Sequence, residues 1–200
     1  MIMALSGWSI DGSLYRHVVD LARRSPGALD AVVTAWSAYG LAVFAVLMVI
    51  GWWRARRAGA RAAMTALTVP VAVLVAFGAD AGLKALVQEG RPCHGLPFRT
   101  LETCPGAGDW SFPSNHTAIA VAATVALFFV SRRLGAVAAV CAVAMAVSRV
   151  WIGVHYPHDV LAGAIVGGLV SFLLMSVLRN RPRDLADRLA AGRLRPLLVS

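Results

Sequence analysis

The sequence predicts an all-α fold, a polytopic transmembrane helical bundle with five membrane spans plus an N-terminal amphipathic interfacial helix. Three observations predict it. The 200 residues are 58% hydrophobic and only 14% charged, whereas a soluble domain carries about a quarter charged residues. The mean hydropathy is +0.69. The apolar residues gather into five runs, separated by arginine-rich or Gly/Pro-rich connections. The length suits a single domain. Residues 1–27 form its interfacial segment, 28–178 the five-span bundle with an extracytoplasmic loop at 89–115, and 179–200 a basic cytoplasmic tail.

Met1 to Ile10 has no basic start and only a short apolar stretch, so insertion is expected to rely on internal spans, not on a cleaved signal. In Ser13–Arg24, Leu14, Val18 and Leu21 recur at helical spacing among polar residues. Ser13 is a candidate cap and Pro26-Gly27 a stop, which predicts a short helix lying in the membrane interface. The apolar runs follow at Ala28–Trp53, Ala62–Leu86, Thr117–Val130, Leu134–Val147 and Val160–Leu178. A span needs about 20 residues, which the first, second and fifth runs supply. The third and fourth reach that length only if their helices continue through the polar residues around His116 and Arg149. Those residues are therefore expected to face protein near the membrane boundary. Gly163, Gly167 and Gly168 predict close packing of the last span. Trp52 and Trp53 suit an interfacial belt. The tail holds a candidate surface helix near Leu185–Ala191.

The formal net charge is +9 and the isoelectric point about 10.9. The arginines sit between apolar runs and not along one polar face. That placement excludes nucleic acid as the expected partner and favours membrane lipids. Twelve basic residues fall on one side: Arg54, Arg56, Arg57, Arg61, Arg132, Arg133, Arg179, Arg181, Arg183, Arg188, Arg193 and Arg195. The seven on the other side are Arg16, Arg23, Arg24, Lys84, Arg91, Arg99 and Arg149. The positive-inside tendency puts the twelve in the cytoplasm and both the N-terminus and the loop Glu89–Asn115 outside. Cys93 and Cys104 in that loop are then expected to form a disulfide, in preference to two free thiols or a zinc site.

Charge at membrane depth is costly and marks function. Lys84 and Arg91 flank the exit of the second span, His116 opens the third, Arg149 closes the fourth, and His155 and Asp159 open the fifth. All of these ends lie on the outer side. Lys84 is also the only lysine beside eighteen arginines, which suggests a need for a compact point charge. Three cations brought together repel unless an anion sits between them, and a phosphate gripped by arginines resolves the repulsion. Pro113-Ser114-Asn115-His116 adds a hydroxyl and backbone N–H groups at a helix start. Hydrolysis then needs a nucleophile and an acid. His155 and Asp159, four apart, supply a nucleophile and its orienting carboxylate, which leaves His116 as the acid. His17 and His94 are expected to face solvent, and His158 to be a surface or interface residue. Asp30 and Asp80 are expected to pair with an arginine or to stabilise helix packing.

Lys84-(six residues)-Arg91-Pro92, Pro113-Ser114-Asn115-His116 and Ser148-Arg149-(five residues)-His155-(three residues)-Asp159 resemble, in order and spacing, the three blocks of the type 2 phosphatidic acid phosphatase (PAP2) superfamily. The resemblance implies a helical-bundle lipid phosphatase. His155 would form a phosphohistidine, Asp159 would orient it, and His116 would protonate the leaving group. Lys84, Arg91, Ser114, Asn115 and Arg149 would hold the phosphoryl group. The family commonly has glycine where this chain has Asn115. Either residue offers the same backbone N–H, so the difference bears on substrate fit and not on catalysis. The opening of the chain, an outer amphipathic helix followed by Pro26-Gly27-Ala28-Leu29-Asp30, resembles bacterial undecaprenyl-diphosphate phosphatases of that superfamily. The substrate this implies is a polyprenyl diphosphate, cleaved to the monophosphate in the recycling of a cell-wall lipid carrier.

The alternatives within this chemistry are a phosphatidate or phosphatidylglycerol-phosphate phosphatase and a decaprenyl-phosphoryl sugar phosphate phosphatase. The vanadium haloperoxidases share such a pocket but are soluble, which the five apolar runs oppose. An anion or lipid transporter is the alternative from a different class. It would need a second opening for its cations, and these cluster on one side. No carboxylate cluster of the magnesium type occurs, so neither a metal nor another cofactor is expected.

Overall fold

The computed structural model describes residues 11–95, 100–106, 108–179 and 195–198. Among these the chain is helical, with no strand. The helices are α1 (Gly12–Arg24), α2 (Gly27–Tyr39), α3 (Leu41–Arg57), α4 (Ala60–Val87), α5 (Asn115–Val130), α6 (Arg132–Trp151), α7 (Pro157–Arg179) and a single turn, α8 (Arg195–Leu198), with a 3-10 turn at Pro92–Gly95. The candidate helix near Leu185–Ala191 lies outside the described residues.

By length and apolarity three helices can cross a membrane: α4 with its extension, α6 and α7. The stretch expected as one first span is instead two helices, α2 and α3, bent by 53° at a break, and together they make a fourth candidate. The break falls at Gly40. A Cβ there would come within 2.9 Å of Met145 Cε on α6, so the missing side chain lets the bend press against its neighbour. α5 has only 16 residues. It is the central helix, packed against α3, α4, α6 and α7, so its neighbours replace lipid along much of its length.

Small residues fill the core. Ala72 and Ala76 of α4 and Ala120, Ala122, Ala123 and Ala126 of α5 share one buried cluster with Phe44, Leu127, Met145 and Met175. Many large aliphatic residues point outward, Leu74, Val140, Leu161 and Leu173 among them. That inversion of the soluble pattern fits a bundle solvated by lipid, in which close helix contact depends on small side chains. Gly163 and Gly167 bring α7 against the backbone of α5, because a Cβ on either would strike the carbonyl of Ser114 or Ala118. The Ser171 hydroxyl donates to the Ala122 carbonyl in the same seam at 2.8 Å.

A test follows at this seam. Gly167→Ala should lower the melting midpoint in detergent by an overpacking cost of about 1–3 kcal/mol and reduce activity, since the same seam sets Ser114 against Asp159. Gly168→Ala should do much less, because its Cβ would meet only the Val121 side chain, at 3.4 Å. Equal midpoints for the two variants would contradict this packing.

α1 also departs in detail from the sequence expectation. It begins at Gly12, with Asp11 and not Ser13 at its N-cap position. Tyr15, Val19 and Ala22 are buried, while Leu14 and Leu21 are exposed. The Tyr15 hydroxyl donates to the Gly153 carbonyl at 2.8 Å, and its ring packs on Tyr156 at 5.3 Å. α1 therefore docks on the loop between α6 and α7 and turns its leucines outward, as a helix lying on a membrane would. Asp30, expected to pair with an arginine or to stabilise packing, accepts from Ser25 Oγ at 2.5 Å and Trp151 Nε1 at 3.1 Å. It thereby ties the start of α2 to the end of α6.

Candidate active site

Four helix ends converge on one end of the bundle. α4 carries Lys84 in its last turn and stops at Gln88, a non-glycine residue in left-handed conformation (φ 53°). This end turns the chain back, so that Arg91 enters the interior. Ser114 holds the N-cap position of α5. α6 ends with Arg149 in its last turn. Pro157 opens α7, where a missing N–H costs nothing. Cys93 and Cys104 form a disulfide with Cα atoms 5.8 Å apart, which fastens the connecting loop over this end.

His155 lies at the centre and is 2% exposed. Its Nδ1 sits 3.2 Å from Asp159 Oδ2, and its Nε2 lies 3.2 Å from a guanidinium nitrogen of Arg91. These partners fix the tautomer. A carboxylate only accepts, so the proton belongs on Nδ1. A guanidinium only donates, so Nε2 presents its lone pair. Burial pushes the imidazole down to about 4 from its ordinary 6.5; Asp159 raises it, and the charges of Arg149 and Arg91 lower it further. His155 is thus neutral at pH 7 with a directed nitrogen lone pair.

Asp159 is wholly buried. Besides His155, its Oδ2 accepts from the Ser111 hydroxyl and from the Tyr156 backbone N–H, the latter at 2.8 Å. Its own carbonyl accepts from the Ser114 N–H at 3.0 Å, which locks the start of α7 to the start of α5.

Protein acceptors hold the cations. Lys84 Nζ donates to the Trp110 carbonyl at 2.7 Å and the Ser111 carbonyl at 3.3 Å. Arg91 makes a two-pronged contact with Asp109, at the backbone carbonyl and at Oδ1, both 2.9 Å, and donates to the Val154 carbonyl at 3.0 Å. Burial raises the Asp109 carboxyl, but the Arg91 hydrogen bond and the nearby positive charges hold it below the usual range. Arg149 is 5% exposed; it donates to Ser37 Oγ of α2 at 2.6 Å and pairs with Glu102 at 3.7 Å. Its Nε is buried with no hydrogen-bond partner among the described residues, as is Asn115 Oδ1. The Ser114 hydroxyl accepts from Thr117 at 3.2 Å. His116, in the first turn of α5, makes no hydrogen bond to a described residue. It lies within electrostatic reach of Arg149, His155, Arg91 and Lys84. The eight residues singled out from the sequence for this site therefore share one end of the bundle.

His17 and His94 are exposed. His158 differs from its expected place as a surface or interface residue. It is a partly buried hub, with Nδ1 3.0 Å from Asp11 Oδ1, Nε2 3.0 Å from Glu89 Oε1 and 3.3 Å from Asp159 Oδ1, and its ring stacked on Tyr156 at 5.2 Å. His158 is not one of the spaced motif residues, and Asp11 and Glu89 come from two distant segments. Glu89, His158 and Asp159 also bring metal-type donor atoms within 4.8 Å of one another. Here those atoms engage each other. Ser111, Asp109, Glu102 and Ser37 are further polar partners that the sequence did not single out. They lie outside the three spaced blocks and reach the site only through the fold.

Buried cations, a lone pair held between an acceptor and a donor, and a second histidine near the same charges are the components of phosphoryl transfer to histidine. Similarity to known proteins bears on the reaction class. The undecaprenyl-diphosphatase BcrC of Bacillus subtilis (strain 168) is 29% identical over 145 residues, covering 72% of each chain. A bacitracin transport permease protein BcrC of Bacillus licheniformis is 30% identical over 171 residues, 84% of this chain and 79% of that one. The crystal structure of a transmembrane PAP2 type phosphatidylglycerolphosphate phosphatase from Bacillus subtilis shares the fold with a TM-score of 0.69, at 22% identity over 91% of this chain and 90% of that one. Residues 65–183, which hold all three motif blocks, match the model of the PAP2 superfamily, and the chain belongs to that superfamily of phosphate-ester hydrolases.

Proposed function

We propose that this chain is an integral membrane phosphatase that hydrolyses a polyprenyl diphosphate, with the undecaprenyl lipid as best candidate, to the monophosphate through a phosphohistidine. The observation that carries the reading is the neutral His155, held between Asp159 and Arg91 with Nε2 directed into the cation cluster. In this mechanism Lys84, Arg91 and Arg149, with the N–H groups at the start of α5, hold the terminal phosphoryl group and take up the charge that develops in transfer. His155 Nε2 attacks phosphorus while the bond to the leaving oxygen breaks, and His116 delivers a proton to that oxygen. Water, deprotonated by His116, then releases phosphate and restores His155. The substrate class draws support from the relatives that cover most of this chain, one of which is an undecaprenyl-diphosphatase.

The topology that goes with this reading has five spans: α2 with α3, α4, α5, α6 and α7. α1 lies on the outer surface and the active site faces outside. The basic asymmetry of the sequence supports the orientation, and so does the Cys93–Cys104 disulfide at the site end.

A phosphate-release panel tests the substrate. Purified protein should release phosphate from a polyprenyl diphosphate at a kcat/KM at least about tenfold above phosphatidate or phosphatidylglycerol phosphate, the margin of one well-made specificity contact. Preference for a glycerophospholipid would move the assignment to that class. Binding and translocation of a lipid phosphate without release would favour a transporter.

The pH profile offers a second test. With His155 held near 4, phosphohistidine formation should persist down to about pH 5, and an acid limb near 6.5 would contradict the buried nucleophile. The same shift bears on stability. The unfolded histidine takes its proton near 6.5 and the folded one near 4. Its contribution is therefore complete above 6.5 and is lost as pH falls toward 4.

A further inference from the structure

A second polar feature lies at the opposite end of the bundle. A cavity of about 450 Å³ opens between the end of α3, the start of α4 and the α5–α6 junction. Three arginines line it, Arg54 from α3 and Arg132 and Arg133 from α6. No aspartate or glutamate lines it, and none of the three arginines pairs with a carboxylate among the described residues. The acidic residue of α4, Asp80, stands about 22 Å along the helix from Thr65 on the cavity wall, at 1.5 Å per residue. Phe129, Val130 and Leu134 form an apolar side to the same space.

We infer that this cavity binds a phosphate-bearing anion, and that its occupant is the headgroup of an anionic glycerophospholipid from the adjoining leaflet. Three exposed arginines border one space, and the paired N–H groups of a guanidinium match phosphate oxygens. The size and lining favour a lipid over free phosphate. A bare phosphate ion is only a few water volumes of about 30 Å³ each, and it would leave most of the cavity and its apolar wall uncovered. Ile50 and Trp53 on α3 and Phe128 on α5 are exposed at the same end, which places the opening at the level where an acyl chain meets a headgroup. Basic pockets between membrane helices recognise anionic headgroups in this way. The inference does not depend on the catalytic reading, because no residue of the cavity belongs to the histidine site.

Native mass spectrometry of the full chain in detergent tests it, with phosphatidylglycerol or phosphatidylcholine added to delipidated protein. Wild type should retain one phosphatidylglycerol per chain at least about tenfold more tightly than phosphatidylcholine. R54Q/R132Q/R133Q should weaken retention by up to about a hundredfold, from three charges near a membrane surface. R54K/R132K/R133K, which keeps the charge, should fall between, and R16Q/R23Q/R24Q on α1 should match wild type. Turnover of a soluble phosphate ester reports that each variant is folded. A parallel thermal-shift series with inorganic phosphate separates the sources. Stabilisation by phosphate that needs the three arginines, with no added gain from phosphatidylglycerol, assigns the site to free phosphate. Equal retention of the two lipids, or retention unchanged in R54Q/R132Q/R133Q, overturns the inference. So does selective retention that appears only in D184N/D187N, since the chain's own tail would then be the anion.

Discussion

His155→Ala is expected to abolish turnover, by about 10⁴-fold or more, and to leave no acid-labile phosphate on the protein after rapid quench. The guanidinium groups of Arg91 and Arg149 offer only N–H donors, and Lys84 donates to two backbone carbonyls. Binding should survive, because the cations rest on Asp109, Glu102 and backbone carbonyls and not on His155 alone. His116→Ala should fail differently. Loss of a general acid costs about 10²–10⁴-fold, and the loss should shrink for a leaving group that needs no proton. His116→Ala should still accumulate phosphohistidine from such a substrate, whereas His155→Ala should not. Near-normal turnover in His155→Ala would end the phosphohistidine proposal.

The two histidines also show what was legible in the sequence. Spacing carries the chemistry of His155, because a four-residue step to Asp159 is short enough for the turn that leads into α7 to close it. The cation cluster is legible for a related reason. Charges at the ends of apolar runs must meet at one membrane face, so Lys84, Arg91 and Arg149 could be placed together without knowing how the helices pack. The bend at Gly40 could not be read, since no proline interrupts the run from Ala28 to Trp53 and only the approach to Met145 on α6 places the break. Nor could the shortness of α5, which is tolerated because other helices surround it. The role of His158 was hidden for the same reason. Asp11 and Glu89 lie 147 and 69 residues away in sequence, and no local pattern announces that a ring nitrogen will meet each of them.

Asp159→Asn should lower kcat by about 10⁴-fold while leaving KM within a few-fold of wild type, the pattern expected when an orienting carboxylate becomes an amide. Three donors reach Asp159 Oδ2: His155 Nδ1, the Tyr156 N–H and the Ser111 hydroxyl. An asparagine meets them in one of two ways. With its oxygen in that position the three hydrogen bonds remain, but the negative charge that balances a phosphorylated, positively charged imidazole is gone. With its NH₂ there, the Tyr156 N–H and the imidazole face another donor, and the Ser111 hydroxyl must turn to accept. His155 is then driven to the tautomer with its proton on Nε2, which removes the attacking lone pair and points an N–H at Arg91. Both arrangements slow attack, and neither disturbs the acceptors of Lys84 or Arg149. The Ser114 N–H bond to the Asp159 backbone carbonyl also persists, so the α5–α7 seam should hold and the melting midpoint should move little. Ser111→Ala, which removes one donor and no charge, should cost far less. Rapid-quench measurement of phosphohistidine formation, beside steady-state kcat and KM, separates these effects. An Asp159→Asn variant within about tenfold of wild-type kcat would mean that the carboxylate neither orients nor charges the nucleophile, whatever its distance from the ring.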